Sequence, residues 1–256
     1  MSQQAAVGTK TGRGTRTAAH YVVVVPTYNE APNLPKLLAA IMDLGVPGLE
    51  VLIVDDNSPD GTAEVAEQLR RHYDGRVSVL RRPSKQGLGT AYKAGFAAAL
   101  AHGADFVIEM DADMSHSPEY LPVFFEKMRE YDVAVGSRWT KGGGTDGDWG
   151  WPRKLLSQCA ALYARLVLGL KVKDPTTGFK CFRSEVLRGV SLDGIKSQGF
   201  AFQVEMAYAC ERQGYRIVEV PIIFRSRHKG RSKMSTGIIL EALWRVLAIR
   251  FGKWTG

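Results

Sequence analysis

The stretch YVVVVPTYNEAPNLPKLLAAIMDLGVPGLEVLIVDDNSPDGT (21–62) decides the fold. Four valines run into Pro26-Thr27-Tyr28-Asn29-Glu30, a helical pattern follows near 30–44, and a second β-branched run, EVLIVDD (50–56), ends in a turn rich in Asp, Asn, Ser, Pro and Gly. Continuous apolar runs of this length are strands buried on both faces, and a helix-length segment between two of them is a crossover. The alternation continues with RVSVLRR (76–82), DFVIEMDAD (105–113) and DVAVGSR (132–138), separated by helical patterns near 60–72, 87–102 and 118–130. The predicted class is α/β, a mostly parallel sheet with helices on both faces.

In such a sheet ligands bind outside the carboxyl ends of the strands. The first two strand tips carry Glu30, Asp55 and Asp56, and Ser58-Pro59 reads as the N-cap and first residue of the next helix. Carboxylates there suit ribose hydroxyls or base N–H donors. A single such tip is better read as plain helix capping and loop solvation; two alike favour a ligand. The fourth strand ends in Asp111-Ala112-Asp113-Met114-Ser115-His116. Asp111 and Asp113, two apart at a strand end, can converge on one hard cation, and Mg²⁺ or Mn²⁺ held by one or two carboxylates plus substrate phosphates is the usual arrangement for nucleotide-diphosphate chemistry. An EF-hand is excluded, because His116 and Pro122 stand where that loop needs Gly and Glu. His116 has no second histidine nearby and reads as a surface or packing residue. Lys85-Gln86-Gly87-Leu88-Gly89-Thr90 opens a helix and can lend N–H groups to an anion. Neither GxGxxG after the first strand nor GxxxxGK[ST] occurs, which argues against a dinucleotide enzyme and a P-loop NTPase.

Beyond 138 the pattern changes to a Gly- and Trp-rich loop (139–151), a helix from Pro152 to Leu168, DPTTGFKCFR (174–183), a helix near 201–213, a strand at 216–224, a basic loop and a last helix near 236–251. Arg138 ends the fifth strand at the same edge as Asp111. Arg153 and Ser157, four apart, share a helix face. With Arg227, Arg231 and Lys233 they form a basic set, and paired guanidiniums suit phosphate. No linker interrupts the chain, so residues 21–235 read as one domain with a nucleotide half (21–138) and an acceptor half (139–235). Residues 1–20 lack periodicity and read as a disordered tail. The 236–256 segment is an amphipathic helix rich in Ile, Leu and Trp around Glu241 and Arg245, suited to a membrane surface, the domain itself or a partner protein.

The net charge of +8 is not spread over the body: residues 1–20 carry +3 and residues 225–256 carry +7, leaving 21–224 at −2. Charge confined to the ends suits anionic lipid or phosphate and speaks against a nucleic-acid binder. No apolar run reaches the ~20 residues of a membrane span, and the first 20 residues have no secretory core, so a cytosolic protein is expected. The three cysteines, Cys159, Cys181 and Cys210, fit neither a disulfide framework nor a metal knuckle and read as buried thiols.

The motifs PTYNE (26–30), VDDNSPDGT (54–62), KQGLGTAY (85–92), MDADMSHSPE (110–119), VGSR (135–138), DPTTGFKCFR (174–183), FQVEM (202–206) and GRSKM (230–234), in that order, resemble the polyprenol-phosphate (dolichol-phosphate) mannosyltransferases of glycosyltransferase family 2. The resemblance implies a GT-A fold and inverting, metal-dependent transfer of mannose from GDP-mannose to a polyprenyl monophosphate at the cytosolic face of a membrane, with a membrane-anchoring protein subunit as a further partner. By the same resemblance Pro26, Tyr28, Glu30, Asp55, Asp56, Lys85 and Ala112 bind the nucleotide. Asp111 and Asp113 hold the metal-diphosphate, with Ser115, a shorter ligand than the Gln of some members, as a third. Arg138, Arg153 and Ser157 take the lipid phosphate, and Arg227 and Lys233 lie on a loop closing over the donor. Glucosyl or N-acetylglucosaminyl transfer to the same lipid is the alternative within the class. A sugar-phosphate nucleotidyltransferase is the alternative outside it, although that chemistry needs a Gly-rich basic loop where this chain has TYNE. A phosphate acceptor needs no carboxylate base, so the loop acids Asp146 and Asp148 are expected to be dispensable.

Overall fold

The computed structural model describes residues 18–226 and 236–252, with side chains of the last segment from 243 onward. Arg227, Arg231 and Lys233, together with Lys253 and Trp254, lie outside the described residues. The chain runs β1 (Tyr21–Thr27), α1 (Leu34–Met42), β2 (Leu49–Asp55), α2 (Thr62–His72), β3 (Val77–Arg81), α3 (Leu88–Ala101) and β4 (Phe106–Glu109). It continues through α4 (Leu121–Lys127), β5 (Val133–Ser137), β6 (Gly144–Thr145), α5 (Trp151–Leu168), β7 (Lys180–Arg183) and α6 (Ser184–Gly189). The last elements are α7 (Gly199–Arg212), β8 (Ile217–Pro221), β9 (Ile223–Phe224) and α8 (Thr236–Phe251).

Seven strands form one sheet in the order β3-β2-β1-β4-β7-β5-β8, and β6 pairs with β9 in a separate ribbon. Every neighbouring pair in the main sheet is parallel except β4–β7 and β7–β5, so β7 alone runs against the rest. The valines of β1 alternate between faces. Val23 and Val25 pack with α1, α2 and α4, while Val22 and Val24 pack with α3, α6 and α7. Both faces are covered, which is why the strands read as unbroken apolar runs. At Gly95 of α3 the helix lies so close to the sheet that a Cβ would stand 2.3 Å from Val24 Cγ1.

The sequence places the strands and helices to within a few residues but misses the reversed strand β7, the short helix α6 and the break at Ile222 that splits the predicted 216–224 strand. The domain also begins before Tyr21. His20 is buried, its N–H bonds Asp105 Oδ2 at 2.9 Å, and its carbonyl accepts from Asp105 and Phe106. Cys159 is exposed, contrary to expectation; Cys181 and Cys210 are buried, and burial pushes the Cys210 thiol up to about 12.

A third cluster joins α5, α7 and α8 through Ala164, Leu168, Val204, Tyr208 and Val246. One face of α8 therefore packs on the domain. Its opposite face exposes Trp244 and Phe251, and α5 likewise exposes Trp151, Leu155, Leu162 and Leu166 along one line. Among the described residues no helix is long and apolar enough to cross a membrane.

Candidate active site

Six strands end at one edge of the sheet, and because β7 is reversed, the segment before it, Asp174–Phe179, arrives at that same edge. The tips of β1 and β2 are tied together there. Thr27 lies in register with Asp55, and its hydroxyl donates to Asp55 Oδ1 at 2.9 Å. Ser58 donates to Asp55 from its hydroxyl (2.6 Å) and its N–H (2.9 Å), and its oxygen accepts the N–H of Asn29 (3.0 Å). Ser58 is therefore not the predicted N-cap. Its hydroxyl is committed to Asp55, and α2 starts only at Thr62 after Gly61 turns at φ 82°, with Asp60 accepting from the Thr62 N–H (3.0 Å). Glu30 donates its N–H to Thr62 Oγ1 (2.9 Å), and its carboxylate accepts from Asn33 (2.7 Å).

Asp56 has an internal task. Buried, it accepts from Arg82 at 2.5 Å and from the N–H groups of Gln86 (3.1 Å) and Gly87 (3.2 Å), so it shapes the 85–90 loop. The Lys85 ammonium lies 3.8 Å above the Tyr28 ring, joining that loop to the β1 tip. Pro26 lies in register with Val54 at the same strand tips.

The Asp111–His116 turn is fixed from within. The Asp111 N–H donates to His116 Nδ1 (3.2 Å), the Ser115 N–H donates to Asp113 Oδ1 (3.1 Å), and Met114 takes the left-handed φ of 65°. Asp111 is a third exposed and receives the Tyr92 hydroxyl at 3.3 Å; Ala112 and Asp113 are buried. His116 is the packing histidine, stacked on Phe179 (5.0 Å, 17°) and met edge-on by Phe224 (5.2 Å, 80°). Burial, helped by the Arg138 and Lys180 charges and opposed by Asp113 and Asp174, lowers its pKa to about 3, so the ring is neutral. Since Nδ1 accepts, the proton sits on Nε2, which is buried without a hydrogen-bond partner, as is Ser115 Oγ.

This turn suits a hard divalent cation. Two carboxylates two residues apart follow one strand end, and a buried hydroxyl oxygen with no partner lies two residues further on. Among the described residues no group of three or more His, Cys, Asp or Glu side chains forms a complete metal cage. Mg²⁺ and Mn²⁺ do not need one when substrate phosphates supply the remaining oxygens.

Beneath the turn lies a charge pair that the sequence did not suggest. Lys180 Nζ, buried, donates to Glu109 Oε1 (2.9 Å), Thr177 O (2.5 Å) and Gln203 Oε1 (2.5 Å). Burial raises the Glu109 pKa despite the opposing pull of Lys180. Both residues stand in register on β4 and β7. Their sequence signal was an acid ending the apolar run of β4 and a base opening β7, Lys180-Cys181-Phe182-Arg183.

At the tip of β5, Arg138 is held by Asp174: Nε to Oδ2 and a terminal nitrogen to Oδ1, both at 2.7 Å, with Thr176 Oγ1 at 2.8 Å. Burial alone would raise the Asp174 carboxyl, but the Arg138 guanidinium outweighs it and the pKa falls below the usual carboxylate range. Arg138 also lies 5.3 Å from the Phe224 ring. Arg153 stacks on Trp149 at 4.0 Å, and Trp149 meets Phe224 edge-on at 5.4 Å. Both arginines thus border one aromatic pair, and Ser157 follows Arg153 one turn along α5. Asp146 is an anchor: its carboxylate accepts the N–H and the hydroxyl (2.9 Å) of Ser226. Among the described residues no such bond marks Asp148.

The family model of glycosyl transferase family 2 matches residues 22–190. The chain is 46% identical over 238 residues to the undecaprenyl-phosphate mannosyltransferase of Micrococcus luteus, covering 92% of this chain and 96% of that protein. It is 41% identical over 232 residues to the polyprenol monophosphomannose synthase of Mycolicibacterium smegmatis, covering 90% and 87%. Among solved structures it resembles the mannosyl-3-phosphoglycerate synthase of Rubrobacter xylanophilus (TM-score 0.64, 17% identity, 90% of this chain and 72% of that one). It also resembles the glucosyl-3-phosphoglycerate synthase of Mycobacterium tuberculosis in complex with Mn²⁺, UDP and glucosyl-3-phosphoglycerate (TM-score 0.62, 18% identity, 90% and 78%). At these identities the structural likeness concerns the fold.

Proposed function

The chain belongs to glycosyl transferase family 2 and has a GT-A-like fold, and from that premise we propose that this glycosyltransferase moves mannose from GDP-mannose to a polyprenyl monophosphate with inversion at the sugar carbon. The observation that carries the reading is the division of one sheet edge into an acidic side, Asp111 and Asp113, and a basic side, Arg138 and Arg153, with the latter pair bordering Trp149 and Phe224. The two mannosyltransferase relatives support the sugar and the lipid phosphate.

Tyr28, Glu30, Asp55 and Lys85 line the tips of β1 and β2, where the nucleotide would lie, with Asp56 holding the adjoining loop. Asp111 and Asp113, with Ser115 behind them, would hold Mg²⁺ or Mn²⁺ against the diphosphate, and such a cation neutralises charge on the leaving group. On the acceptor side, Arg138, Arg153 and Ser157 would bind the phosphate. One acceptor oxygen forms the new bond to the sugar C1 as the bond from C1 to the GDP oxygen breaks. An acceptor phosphate with a second pKa of ~6 is already mostly dianionic at neutral pH, so no side chain has to remove a proton. The arginines then act by lowering the cost of holding two anions in line.

The exposed line of Trp151, Leu155, Leu162 and Leu166 on α5, beside Trp244 and Phe251 on α8, supports peripheral attachment to a cytosolic membrane face or to an anchoring subunit. If anionic lipid is the contact, vesicle binding should weaken as salt rises; equal binding to neutral and anionic vesicles would exclude it. The central test is transfer of labelled mannose from GDP-mannose into an organic-extractable lipid, with GDP-glucose and UDP-N-acetylglucosamine as competing donors. A preference for either competitor would overturn the sugar assignment.

A further inference from the structure

Arg153 stands on an exposed stretch of helix. It lies in the first turn of α5, and from Trp151 to Ala160 every residue except the half-buried Ser157 is exposed, so no core closes around the side chain. A long arginine side chain carries rotamer entropy that binding a ligand would have to remove. Trp149 stands two residues before the helix and is buried, with the Arg153 guanidinium carbon 4.0 Å from its ring centroid.

That indole is itself fixed. Its edge meets Phe224 at 5.4 Å and 78°, and Phe224 in turn meets His116 of the Asp111–His116 turn. Its backbone N–H bonds Asp146 O at 3.4 Å, and the Asp146 carboxylate binds Ser226 just after β9. The β6–β9 ribbon completes the frame, with Gly144 and Thr145 in register with Ile223 and Phe224. A fixed aromatic face thus meets the guanidinium end of a long cation, and cation–π attraction acts at that separation.

We propose that Trp149 is the positioning residue of the acceptor subsite: its indole face holds the Arg153 guanidinium ready for the lipid phosphate, and Phe224 keeps that assembly in fixed relation to the diphosphate side. The inference rests on the proposed function, in that Arg153 must meet the acceptor's phosphate. Trp149 itself need not touch the acceptor, and its effect should fall on acceptor affinity.

The experiment measures transfer from GDP-mannose to a short isoprenyl phosphate, with KM determined separately for donor and acceptor. Trp149→Leu should raise the acceptor KM about five- to tenfold and leave the donor KM within about twofold. Trp149→Phe, which keeps an aromatic face, should recover most of that loss. An unchanged acceptor KM in Trp149→Leu would overturn the inference, as would an equal rise in both KM values, which would signal general distortion. A Phe variant as impaired as the Leu variant would overturn the ring-face account. Absence of transfer to any isoprenyl phosphate by the unaltered protein is a separate result, and it would sink the proposed function and this inference with it.

Discussion

Arg138 and Asp174, 36 residues apart, form a buried two-pronged ion pair with both contacts at 2.7 Å, and the Arg138 N–H adds a third bond to the same carboxylate at 3.0 Å. Asp174 fixes the plane of the guanidinium, and Thr176 closes one further corner. The arginine assigned to the acceptor is thereby set in direction before any ligand arrives.

Asp174→Asn should therefore reduce transfer strongly, and removing one partner of such a buried pair costs about 3–5 kcal/mol of stability. The sign of the pH effect follows from the lowered Asp174 pKa. Its contribution is present above the ordinary carboxylate range of ~4 and is lost as pH falls through the folded value. Urea midpoints at pH 7 and pH 3.5 should differ less in the variant than in the parent; an identical pH dependence would show that the pair contributes nothing.

Asp113→Asn should abolish most turnover in saturating Mg²⁺ or Mn²⁺ while changing thermal stability little, because the charge it removes serves the leaving diphosphate. Near-normal turnover would remove Asp113 from the metal site.

Lys180→Met leaves Glu109 buried without its ammonium, a loss again of about 3–5 kcal/mol, whereas the double change with Glu109→Gln should recover much of it. Chemical denaturation of the single and double variants measures the difference. Equal destabilisation in both would mean that the cost lies in lost bonds to Thr177 and Gln203, with no part for the stranded charge.

His116 is neutral in the folded protein down to about pH 3, while an unfolded histidine titrates near 6.5. Stability should therefore be full above pH 6.5 and decline as pH falls from there, and its ring should show no NMR titration between pH 5 and 8. A fall in transfer rate over that range belongs to the acceptor's phosphate and should persist in Asp148→Ala. Loss of that pH dependence in the Asp148 variant would install a general base where none is proposed.

The sequence by itself determined the strands, the crossover helices and the edge that carries chemistry, because burial on two faces leaves unbroken apolar runs and the loops after them hold the polar groups. It placed Asp111 and Asp113 together after the fourth strand for the same reason: residues two apart in one turn are neighbours without help from the rest of the chain. Tertiary structure alone decided the direction of β7, since pairing between β4 and β5 depends on what those strands leave open, and no local pattern records it. With that reversal came Asp174 beside Arg138 and Lys180 beside Glu109, partners 36 and 71 residues apart. Ser58 is a mixed case: its bonds to Asp55 are local, three residues back in the same loop, and only the Asn29 N–H that its hydroxyl accepts comes from the neighbouring strand tip. Tertiary structure also decided the place of Trp149, whose hold on Arg153 depends on a ribbon formed with residues more than 70 positions away.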